Sequence, residues 1–113
     1  MKKSPRQKAR TVSRLALYGA LQEQYRQMLA VANTQDWERL VAMEQEAAAL
    51  VQRIEAAPPV PAEEVASARE QIEATLALGR EIEAIARPHL ENMRELLRDS
   101  RQGLDVRRAY GAV

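Results

Sequence analysis

Three stretches of helical apolar periodicity run through this 113-residue chain, and the third is nearly twice as long as either of the others. They span about residues 11–32, 36–56 and 62–101. At ~1.5 Å of rise per residue these are rods of roughly 33, 31 and 60 Å. In an up-down-up arrangement the first two cover only the first half of the third. Yet Ile82, Ile85, Leu90, Met93 and Leu97 carry its apolar stripe past that cover. Apolar surface left in water is costly, so such a stripe needs a fold-back, a second subunit or a client. The length mismatch therefore points to binding.

The first stretch places Tyr18, Leu21, Tyr25, Met28 and Ala32 at 3-4-3-4 spacing, the period of an amphipathic bundle helix. Asn33-Thr34-Gln35 interrupts it, and Thr34 or Asp36 can cap the next helix. So short a connection makes the two helices antiparallel neighbours. The second opens with Trp37, read as a plug at the hairpin end of the core, and continues through Leu40, Met43, Ala47, Leu50 and Ile54. Glu44 falls beside that stripe and is expected at the bundle edge, near an arginine of a neighbouring helix. Ala57-Pro58-Pro59-Val60-Pro61 then forms a stiff, extended connector, because proline fixes φ and restricts the residue before it.

The third stretch reads Val65, Ala68, Ile72, Thr75/Leu76, Gly79, Ile82, Ala86, Leu90, Met93 and Leu97. Gly79 on this stripe reads either as permitting a close helix crossing or as a flexible point. Pro88 removes a backbone hydrogen bond, which predicts a kink near residues 84–87. The fold class that follows is all-α: an antiparallel up-down-up bundle with an overlong, kinked third helix and a short C-terminal segment. Residues 1–10 form a basic arm expected to be disordered, residues 11–101 the bundle, and residues 102–113, with Gly103 and Gly111, a loose or briefly helical tail.

Composition narrows the function. The net charge of +1 hides a segregation: residues 1–14 hold six bases and no acid, and residues 33–86 hold eleven acids against four bases. A basic arm alone, with no aromatic residue and no base-reading helix, is weak support for nucleic-acid binding. There is no cysteine, so no disulfide or thiolate metal site, and no apolar run long enough to span a membrane. The N-terminal residues have a basic flank without the apolar segment of a secretory signal, which predicts a cytoplasmic protein. His89 is the single histidine, the four serines lack an adjacent base, and the four glycines are too scattered to cradle phosphate. These features predict no enzyme, no cofactor and no metal.

Read together, the order of features resembles the FliT family of flagellar type III export chaperones over nearly the whole chain after the arm. The resemblance rests on Gln35-Asp36-Trp37-Glu38-Arg39-Leu40 opening the second helix, the Pro58–Pro61 break, the long third helix, and Leu104 followed by Ala109-Tyr110-Gly111. It implies a bundle that holds the filament-cap protein FliD before export and passes it to the export ATPase apparatus. It further implies a client surface on the long third helix, here Ile72 and Leu76 with Leu78 and Ile82 following, and a C-terminal segment bearing Tyr110 that folds over it. Some enteric relatives also bind the flagellar master regulator, which makes that regulator a candidate second partner. The chain departs from the family pattern at Pro88 and in the shortness of its covering segment. Beside this stands a second reading from the residues alone: a homodimeric helical adaptor in which the overlong helix pairs with its twin.

Overall fold

A computed structural model describes residues 12–110, with side chains through Asp99. The basic arm over residues 1–10 lies outside the described residues, as do the last three of the chain and the side chain of Tyr110. The described residues form three α-helices and one short 3-10 turn: α1 (Arg14–Asn33), α2 (Trp37–Ala56), the turn Ala62–Glu64, and α3 (Val65–Tyr110).

Each boundary has a local cause. Ser13 starts α1 by accepting a hydrogen bond from the Ala16 amide at 3.1 Å, satisfying an N–H that the first turn leaves open. At the other end Gln35 takes a left-handed conformation, φ 62°, and its amide donates to the Ala32 carbonyl at 3.0 Å. That pairs an otherwise open C-terminal carbonyl, the role glycine usually fills. The Thr34 hydroxyl donates to the Val31 carbonyl at 2.7 Å, so Thr34 closes α1. Asp36 opens α2, its carboxylate accepting from the Arg39 amide at 3.3 Å. The chain reverses across Thr34–Asp36, too few residues for anything but antiparallel packing.

Ala57 leaves α2 in an extended conformation, φ −80° and ψ 153°, and Pro61 is extended again at φ −58° and ψ 154°. These angles are close to polyproline II, as a Pro-Pro-Val-Pro run dictates. Helical winding resumes when the Glu64 amide donates to the Pro61 carbonyl at 2.9 Å.

The described residues divide into two compact units, the first ending at Ile82 and the second beginning at Glu83. The first holds the core. On α2 its buried line is Leu40, Ala47 and Ile54 at seven-residue spacing, with Met43 between. On α3 it is Ala68, Thr75 and Ile82, also seven apart, and α1 contributes Leu17, Met28 and Ala32. Seven-residue repeats are the signature of helices packed near-parallel, knob into hole. Three of the nine buried apolar side chains among the described residues are alanines, so the layers close tightly but the core is thin.

A polar side chain pins α1 to α2, and a second is satisfied locally. Gln24 on α1 donates to the Met43 carbonyl at 3.1 Å and to the Glu46 carboxylate at 3.0 Å, tying α1 to the middle of α2. Buried Thr75 is satisfied within its own helix by donating to the Gln71 carbonyl at 2.8 Å. Gly79 lies under the ring of Tyr25: a methyl group added there would sit 3.3 Å from the Tyr25 Cε2. Gly19 faces Gln71 in the same way, at 3.5 Å from Nε2. From Gly19/Gln71 to Tyr25/Gly79 both partners advance along the chain, so α1 and α3 run parallel, as up-down-up topology requires.

Three expectations need restating. Glu44 is exposed and forms no ion pair among the described residues; its neighbour Glu46 makes the interhelical contact instead. Trp37 is half-buried rather than sealed at the hairpin. The helix placed at 62–101 runs to Tyr110, since Gly103 alone costs only ~1 kcal/mol against neighbours that are otherwise acceptable in a helix. Pro88 lies inside that helix without ending it.

Candidate functional site

Within the first unit, α3 divides its apolar residues between two faces. Ala68, Thr75 and Ile82 point into the core, while Val65, Ile72 and Leu76 lie on an adjoining strip. At 3.6 residues per turn that strip is offset by roughly 80° from the buried line. The strip is open: Ile72 is 38% and Leu76 56% exposed. One flanking line of small or β-branched residues on the core side lets α1 approach, and the wider aliphatics are left facing solvent.

Where α3 begins, the open strip borders a groove of about 400 Å³. It is lined by Tyr18 of α1, Val60 of the proline connector, and Val65, Ala68, Arg69, Ile72 and Glu73 of α3. The floor is apolar. Arg69 and Glu73, four apart on one helix face, add one charge of each sign. The proline-rich connector holds Val60 in place with little conformational freedom to lose, so this wall is preorganised. An apolar floor with few polar groups suits the side chains of an amphipathic segment.

Of the residues the family resemblance pointed to, Ile72 and Leu76 share this open strip. Leu78 is half-buried, and Ile82, 6% exposed, belongs to the core in this conformation. Tyr110 lies on the helical backbone, its side chain outside the described residues. Sequence reasoning had not singled out Tyr18, Val60 or Val65 as groove walls. Val60 carried a signal, being an isolated aliphatic residue held between prolines. Tyr18 did not, because its place on the α1 stripe reads equally well as core.

The second unit carries its own apolar stripe. Leu90, Met93, Leu96 and Leu97 are all exposed, with Ile85, Ala86 and His89 half-buried. An ion pair joins Arg87 to Glu83 at 3.2 Å.

Among the described residues no cluster of His, Cys, Asp or Glu is arranged to hold a metal ion. No described helix is long and apolar enough to cross a membrane. No curated protein and no solved structure gives a significant match to the chain. A family model does: the one described as flagellar protein FliT matches residues 15–112, from the first turn of α1 to beyond the end of α3. With that match covering all three helices, the chain belongs to the FliT family, a family of flagellar export chaperones.

Proposed function

We propose that this protein is the cytoplasmic chaperone of the filament-cap protein FliD, holding it on the open strip of α3 and handing it to the export ATPase apparatus. The observation that carries the reading is the exposure of Ile72 and Leu76 beside an apolar groove, on a helix whose family works by carrying export clients. A chaperone of this kind needs apolar surface that does not drive self-association. Arg69, Glu73 and Arg80 along the strip supply mixed charge that discourages it. The client contributes an amphipathic helix whose apolar residues enter between Tyr18, Val60 and Ile72.

The test is capture of FliD by the purified chain and by its Leu76→Asp and Val65→Asp variants. Both positions are exposed, so the helical circular dichroism should be unchanged while capture is lost. Undiminished capture by both variants would refute the assignment of the strip. An Ile82→Asp variant is not a surface probe, because it places a carboxylate in the core.

A further inference from the structure

The proline connector has an inner edge and an outer one. Burial along it follows a period of three: Ala57 and Val60 are half-buried, while Pro58, Pro59 and Pro61 are exposed. Three residues per turn is the repeat of polyproline II. Ala57 (φ −80°, ψ 153°) and Pro61 (φ −58°, ψ 154°) both have its angles. Between them Pro58 and Val60 each precede a proline, which disfavours the helical region for them too. The inner edge is already in use, since Val60 lines the groove of the first unit. The outer side presents the rings of Pro58 and Pro61 one turn, about 9 Å, apart, with Pro59 on the next edge. Exposed Ala56 and Ala62 flank the run, so no long side chain shades those rings.

Chemistry decides what fits this ridge. Pro58, Pro59 and Pro61 have no N–H, so a sheet edge finds too few donors here to pair with. The ridge is convex, so an amphipathic helix finds no groove to enter. A ridge of rings and carbonyl acceptors suits a groove between aromatic side chains, whose flat faces clamp proline and whose polar ends donate. Charge adds a sign: residues 54–64 hold Glu55, Glu63 and Glu64 and no base. Glu55 and Glu63 are exposed on either side of the prolines. Because the ridge is extended before any partner arrives, docking costs it little conformational entropy.

We infer that Pro58–Pro61 is a docking ridge for a second protein, one that reads polyproline II through an aromatic-lined groove with a basic residue at its rim. The prolines supply the shape, and Glu55 and Glu63 select the partner by sign. This edge of the connector is distinct from the Val60 edge that faces the client groove.

The experiment titrates the full chain into a fluorescein-labelled WW domain, whose two-ring slot holds a proline pair, chosen with a lysine beside that slot and read by anisotropy. Binding should saturate, and replacing the slot tryptophan of the WW domain by alanine should abolish it. Pro58→Ala combined with Pro61→Ala should weaken binding at least about tenfold. Glu63→Lys should weaken it about threefold, and the difference should shrink as salt is raised. Leu76→Asp, on the client strip, should leave it unchanged. Helical circular dichroism checks that each variant is folded; if the double proline variant is not, the slot variant and Glu63→Lys decide, since neither touches the connector backbone. Absence of saturable binding overturns the inference and leaves the connector a spacer between α2 and α3. So does binding that survives loss of the slot tryptophan, or that folded chain lacking Pro58 and Pro61 retains in full.

Discussion

Leu76 and Ile82 sit six residues apart on one helix, and burial separates them. Leu76 is open to solvent, whereas Ile82 closes the core against the neighbouring helices. Ile82→Ala should therefore cost about 2–5 kcal/mol of unfolding free energy, measured by urea denaturation, and leave the open strip intact. Gly79 is a contact surface rather than a flexible point. A side chain there must displace the Tyr25 ring, so Gly79→Leu should lower stability by about 1–3 kcal/mol despite leucine's better helix propensity. An unchanged denaturation midpoint would show that the ring moves freely. Gln24, whose amide spans to both the Met43 carbonyl and Glu46, should cost about 1 kcal/mol on replacement by alanine.

Among elements, the helices and their order were legible in the sequence because three independent signals agreed: apolar period, capping residues and the proline run. Asp36 ahead of Trp37 and the Pro58–Pro61 segment mark boundaries that local chemistry alone dictates. The two faces of α3 were less legible. Val65, Ile72 and Leu76 and the buried Ala68, Thr75 and Ile82 merge into one broad stripe in sequence, and only the approach of α1 and α2 decides which line is covered. The C-terminal reach of α3 was also hidden, since a glycine at 103 reads as a stop signal but costs less than its neighbours favour. Pro88 is the weak point of that helix, having no amide to donate to the Ala84 carbonyl. Pro88→Ala should restore that bond and raise helix stability by up to ~3 kcal/mol, seen as slower amide hydrogen exchange over residues 84–92. Exchange no slower than in the parent would mean that the proline imposes no local opening.

On the scale of the whole molecule, one small chain divides into two compact units. The first unit has a core, two pinned helices and a preorganised groove; the second exposes Leu90, Met93, Leu96 and Leu97. The FliT match places the chain in a family of flagellar export chaperones. The most direct test of the α3 strip is calorimetric titration of purified FliD into the wild-type chain and into Leu76→Asp, both checked for equal helicity. A single saturable site in the wild type, weakened at least about a hundredfold by the substitution, is the outcome expected here. Equal affinity in the two proteins would mean that the client docks elsewhere.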